Sequence, residues 1–96
     1  MNKGYWVVAY RSVSDPAAVA RYAGPAAELI KSHGGRILAR GMPARVFESG
    51  EEERCVLVEF DGVEAAIAAY ESPDYQRVRA ILQGAAERDI RIVEGV

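Results

Sequence analysis

Imidazole titrates near neutral pH, so His33, the one histidine of the chain, is a first candidate for proton transfer. It stands directly before Gly34-Gly35, however. At a helix end a partly positive ring complements the dipole and bonds the last carbonyls, which is a structural role. Glu59 lies between Val58 and Phe60, where burial would raise its pKa and make it a proton carrier. An arginine partner would lower it, and that pairing is the simpler expectation. Arg36, Arg40 and Arg91 could clamp a carboxylate or phosphate through the guanidinium fork, or pair with Glu59 and Asp89 across strands or subunits. Tyr5, Trp6, Tyr10, Tyr70 and Tyr75 could line a pocket and orient a ligand with their polar tips, although tyrosines at helical spacing usually pack in a core. Ser72 precedes Pro73 and reads as a helix cap rather than a nucleophile. Cys55 has no neighbour in sequence that would stabilise a thiolate and reads as a small buried hydrophobe. No metal-ligand spacing and no phosphate-cradling glycine loop is present, so neither a metal nor a cofactor is expected.

Short elements must position these groups. Strand-like runs cover Tyr5 to Arg11, Arg36 to Arg40, Arg45 to Glu48, Cys55 to Phe60 and Ile90 to Glu94. The stretch Glu48 to Arg54, with Ser49-Gly50 and three consecutive glutamates, reads as a hairpin loop. Asp15-Pro16 and Ser72-Pro73 pair a capping oxygen with a proline that needs no donor, and each predicts a helix start. Asp61 followed by Glu64 predicts a third, capping-box start. Apolar stripes follow these starts: Val19, Tyr22, Ala26, Leu29 and Ile30; Val63, Ala66, Ile67 and Tyr70; Tyr75, Val78, Leu82 and Ala85. Gly24-Pro25 should kink or restart the first helix, and Gly34 ends it. The order β-α-β-β-α-α-β, with helices on one face of an antiparallel sheet, predicts a ferredoxin-like α+β sandwich forming one domain over residues 1–96.

Composition narrows the function. The chain has 96 residues, half of them hydrophobic, and a net charge of -2, with no basic face for nucleic acid or an anionic membrane. The opening apolar run is cut off at Arg11, too short for a signal peptide or a membrane span, so a cytoplasmic location is the expectation. A single cysteine allows no internal disulfide. A domain of this size is marginal as a monomer, and a partner subunit would relieve that.

Strand alternation points the same way. Ile37, Ala39, Val56, Val58, Phe60, Ile90 and Ile92 form an apolar set for the helix side. The opposite set, Arg36, Leu38, Arg40, Cys55, Leu57, Glu59, Asp89, Arg91 and Val93, is too apolar for a solvated face and too charged for a dry core. Pairing with a second sheet around a partly polar cavity would accommodate both.

Lys3-Gly4-Tyr5-Trp6, Asp15-Pro16, His33-Gly34-Gly35-Arg36, Glu59-Phe60, Tyr70-Glu71-Ser72-Pro73-Asp74-Tyr75 and Ile92-Val93-Glu94-Gly95-Val96 together resemble the domain-of-unknown-function family numbered 1330. The resemblance runs through the whole chain. It implies the dimeric α+β barrel superfamily, in which two ferredoxin-like subunits pair sheet to sheet; this superfamily includes cofactor-free monooxygenases, muconolactone isomerases, chlorite dismutases and haem-degrading enzymes. The haem-degrading relatives place their histidine in the second helical region, where this chain has none. It implies a fold and a homodimer but no reaction. Three readings follow: a homodimer binding a small acidic or aromatic molecule through Arg36, Arg40, Arg91, Tyr5 and Tyr75; a cofactor-independent enzyme, monooxygenase- or isomerase-like, with His33 or Glu59 moving a proton; or a structural dimer whose charges satisfy one another.

Overall fold

The computed structural model describes residues 2–96. In chain order it contains β1 (Gly4–Val13), α1 (Pro16–Ser32), β2 (Arg36–Gly41), β3 (Cys55–Phe60), α2 (Val63–Glu71), α3 (Pro73–Arg79), a 3-10 turn (Ala80–Leu82) and β4 (Ala86–Glu94). The strands form one antiparallel sheet in the order β2-β3-β1-β4. Each half, β1-α1-β2 and β3-α2-α3-β4, steps over one strand before it returns, which makes the fold the expected ferredoxin-like sandwich.

The local chemistry explains most boundaries. Asp15 accepts hydrogen bonds from the Ala17 and Ala18 amides at 3.1 and 3.3 Å and starts α1 with Pro16 in its first turn. The Ser72 hydroxyl does the same for the Tyr75 amide at 3.1 Å and starts α3. At the end of α1, Gly34 takes a positive φ of 81°, a conformation that costs a side-chain residue energy. Gly35 follows because a Cβ there would lie 2.6 Å from Ile30 and 2.8 Å from Phe60.

Four expectations are corrected. Arg45 to Glu48 is not a strand: both edges of β3 are already paired, to β2 and β1, and the segment instead turns, with Glu48 at a φ of 53° and the Gly50 amide bonded to the Phe47 carbonyl at 3.0 Å. Asp61 does not cap α2; the cap position is Gly62, and the Asp61 carboxylate turns to Lys3 and Arg36. Of the kink or restart expected at Gly24-Pro25, the restart does not occur: α1 is one helix through Pro25, and Arg21, whose carbonyl a proline at 25 leaves unbonded, is exposed to water. Finally, β4 begins at Ala86, four residues before Ile90.

The core lies between the helices and one sheet face. It is built from Trp6, Val8 and Tyr10 of β1, Val58 and Phe60 of β3, and Tyr22, Ala26, Ile30, Ala66, Ala69 and Tyr75 of the helices. Trp6 is anchored at its polar end by a 2.8 Å hydrogen bond from Nε1 to the Ala66 carbonyl, so its ring fills the core without an orphaned donor. Among the described residues, no helix is long and apolar enough to cross a membrane.

Candidate functional site

One irregularity decides where the arginines lie. Between Ile37 and Ala39 the β2–β3 register shifts, so Ile37 opposes Val58 and Ala39 opposes Leu57, with Leu38 as the extra residue. A bulge of one residue reverses the alternation beyond it. Ala39 therefore leaves the helix side, to which the sequence pattern assigns it. Arg40 takes its place there, opposite Val56. Arg36, Arg40 and Arg91 thus do not share one face.

On the open face, away from the helices, two ion-pair groups are complete. Glu59 accepts from Arg36 Nε at 3.0 Å and from the Tyr5 hydroxyl at 2.9 Å. Those two bonds, the phenol's first, hold its carboxyl below the usual glutamate range, while the same bond raises the Tyr5 phenol. Arg91 binds Asp89, its same-face neighbour on β4, at 3.1 and 3.2 Å. Around these groups Val7, Leu38 and Val93 remain 42, 51 and 48% exposed. His33 closes α1 with its backbone amide on the Leu29 and Ile30 carbonyls, and Cys55, expected to be buried, is exposed at the start of β3 because its neighbours there are the small Ala9 and Gly41.

The helix side differs. A narrow cleft of about 30 Å³ lies between the sheet and α1, floored by Trp6, Val8, Val56 and Val58 and roofed by Ala23, Ala26, Ala27 and Ile30. Arg40, Arg54 and Arg88 also line it. Tyr10 connects two of them: it opposes Arg88 on β4, and its amide donates to the Arg54 carbonyl at 2.9 Å. Among the described residues, none of these three arginines has a carboxylate within ion-pair distance.

Arg88 is the most enclosed of them. Its guanidinium lies 5.2 Å from the Tyr22 ring centre and 5.6 Å from that of Tyr10, close enough for cation–π attraction. It donates to the hydroxyls of Tyr22 and Tyr75, each at 3.2 Å, and those hydroxyls lie 2.6 Å apart. Burial and the adjacent Tyr75 oxygen raise the Tyr22 pKa well above that of an ordinary phenol. Burial works against the charge on Arg88, but the two phenol oxygens outweigh it and its pKa is raised. The result is a cation held by two phenol hydroxyls with no carboxylate partner.

Of the sequence-singled residues, Trp6, Tyr10 and Arg40 reach this cleft, Tyr75 reaches it through Arg88, and Tyr5, Arg36 and Arg91 lie on the other face. Tyr22 was read only as part of a core stripe. Arg88 and Arg54 were missed, although Arg88 shares the alternation of Ile90 and Ile92. Among the described residues, no three His, Cys, Asp or Glu side chains converge as metal ligands would.

The sheet order, the paired crossovers and the arginine-lined cleft under α1 define a ferredoxin-like α+β domain with a polar opening into an otherwise apolar interior. Within that class the chain belongs to the family described as a domain of unknown function, DUF1330, whose sequence pattern matches residues 3–96. Solved structures share the fold at low identity. A protein of unknown function from Rhodopseudomonas palustris superposes with a TM-score of 0.75 at 14% identity, over 99% of this chain and 83% of that one. A dimeric ferredoxin-like protein of unknown function from Thermobifida fusca gives 0.67 at 15%, over 97% and 91%. A cofactor-independent oxygenase from Streptomyces nogalater gives 0.64 at 11%, over 97% and 92%. No curated protein matches the chain significantly in sequence.

Proposed function

We propose that the protein is a homodimer that binds a small organic anion in the cleft between the sheet and α1. The observation that carries this reading is Arg88, whose guanidinium is enclosed by tyrosines and has no carboxylate partner. An enclosed charge normally acquires a partner; here Arg40 and Arg54 add positive charge to the same cleft instead. A cleft of about 30 Å³ has room for little more than one or two waters, so binding must be accompanied by movement of Arg40, Arg54 or α1. The dimer is supported by the exposed Val7, Leu38 and Val93 on the open face and by the dimeric relative of the same fold. Tyr5, Arg36 and Arg91 belong to that face and would line the space between two paired sheets, where they remain candidates for ligand contact.

A catalytic role through His33 or Glu59 has less support. Glu59 faces away from the cleft and is held as a carboxylate, and His33 does not line the cleft. The fold shared with a cofactor-independent oxygenase keeps turnover of the bound anion as the alternative, to be assayed once a ligand is in hand.

The test is a thermal-shift screen of small carboxylates, sulfonates and phosphates against wild type and Arg88→Met. A ligand at a hundredfold its dissociation constant adds about 2.7 kcal/mol, an easily measured rise in melting temperature. Anions that stabilise wild type and not Arg88→Met are the expected result. No stabilising anion, or equal stabilisation of the variant, would overturn the reading.

A further inference from the structure

Hydrogen-bond accounting around Arg88 leaves an excess of donors. A guanidinium has five N–H groups, and only two are engaged here, by the Tyr22 and Tyr75 oxygens. Those oxygens share one hydrogen bond, which uses the hydrogen of one phenol. The hydrogen of the other has no acceptor among the described residues, although Tyr22 and Tyr75 are only 7 and 1% exposed. Burial holds Tyr22 as the neutral phenol. The cluster thus offers one O–H and three N–H groups and contains no anionic acceptor. Arg88 is only partly buried, so water reaches its free N–H groups, and an anionic acceptor in place of that water gives the stronger bond.

We infer that the group completing this cluster is a carboxylate, seated on Arg88 and on one phenol of the Tyr22–Tyr75 pair, with an apolar and flat remainder lying in the cleft. This deepens the anion-binding reading and rests on it. The head group follows from the donors: a carboxylate has two oxygens in one plane, which the guanidinium fork matches side on, leaving a lone pair for the phenol. The cleft is narrow and mostly apolar, and a planar, singly charged carboxylate loses less hydration on entering it than a tetrahedral phosphate dianion. The remainder follows from the walls. Val8, Val56 and Val58 give a flat floor, and Ala23, Ala26 and Ala27 place no long side chain above it. The donors stand at the Tyr10 row of the sheet, and the apolar walls continue from there past Trp6 to Ile30 and Ile37.

The experiment is calorimetric titration of the full chain with benzoate, phenylphosphonate and benzyl alcohol, which share a ring and differ in head group. It is repeated on Arg88→Lys, Tyr22→Phe and Tyr75→Phe, each checked for unliganded melting. The expected result is binding of benzoate at least about tenfold tighter than of phenylphosphonate and no binding of benzyl alcohol. Arg88→Lys should weaken benzoate by about tenfold or more, since an ammonium loses the fork, and the double variant Tyr22→Phe, Tyr75→Phe by a similar factor. Phenylphosphonate binding as tightly as benzoate, with Arg88 still required, would overturn the carboxylate assignment and leave the anion reading standing. Benzoate affinity unchanged in the double phenylalanine variant would overturn the role of the phenols. Binding of neither anion would remove both readings. Should Arg88→Lys fail to fold, the double phenylalanine variant and the benzoate–phosphonate ratio decide alone.

Discussion

Tyr22 and Tyr75, 53 residues apart in sequence, bring their hydroxyls to within 2.6 Å of one another. Burial first, and then the facing Tyr75 oxygen, hold the Tyr22 phenol in its neutral form well beyond its ordinary value of 10. A pKa raised in the folded state contributes stability below the unfolded pKa, and that contribution is lost as pH rises above it. Of the five tyrosines, Tyr22 should therefore stay silent when native protein is titrated through about pH 10 and phenolate absorbance is followed. In denaturant all five should respond. Tyr22→Phe should leave the native amplitude unchanged and lower the denatured one by one tyrosine. A fall in the native amplitude would contradict the account.

Fold and site differ in how plainly the residues announce them. Asp15-Pro16 and Ser72-Pro73 mark helix starts through chemistry confined to four residues, and the alternating Val56, Val58 and Phe60 point to their face without help from the rest of the chain. The site depends on what is not local. Leu38 is chemically an ordinary strand residue, so nothing in Arg36 to Arg40 reveals that it bulges and turns Arg40 inward. The strand expected from Ile90 leaves Arg88 outside it, yet β1 extends far enough to pair with Arg88. Once β4 starts at Ala86, plain alternation places Arg88 with Ile90 and Ile92. Its tyrosine partners come from two helices, and only the tertiary structure supplies them.

Glu59 gives a pH prediction of known sign. Its carboxyl is held below its ordinary value of 4.5 by the Tyr5 hydroxyl and the Arg36 guanidinium. A depressed pKa means that the folded state binds fewer protons than the unfolded one, so the stabilisation is complete above pH 4.5 and is lost as pH falls through the lower folded value. Glu59→Gln should be less stable than wild type at neutral pH, and the gap should close on acidification below 4.5. Denaturant melts at several pH values would show it. A gap constant with pH would mean that packing, not charge, sets the cost.

Asp15 and Asp61 look alike in sequence as helix caps, and the structure separates them. Asp15 satisfies two amides of α1; Asp61, with its side chain 80% exposed, satisfies none and pairs with Lys3 and Arg36. Asp15→Ala should cost about 1 kcal/mol of unfolding free energy, while Asp61→Ala should leave it close to wild type, as the loss of an exposed ion pair does. Urea unfolding of the two variants side by side measures both. Equal losses would return Asp61 to the cap position.

The open sheet face yields the prediction on assembly. Val7 lies in the middle of β1, opposite Leu57 on one side and Arg91 on the other, and it is 42% exposed. A carboxylate there would have no cost in a monomer, because water reaches it, and it would not unsettle the core, which lies on the other face. Between two apposed sheets it would meet its own symmetry-related surface and lose solvent without gaining a partner beyond Arg91, which Asp89 already holds. Val7→Asp should therefore shift the protein from dimer to monomer in sedimentation at micromolar concentration, with its far-ultraviolet circular dichroism retained. Arg88 lies on the opposite face of the sheet, so Arg88→Met should sediment as wild type does. Wild type sedimenting as a monomer, or Val7→Asp remaining a dimer, would show that this face is not the interface.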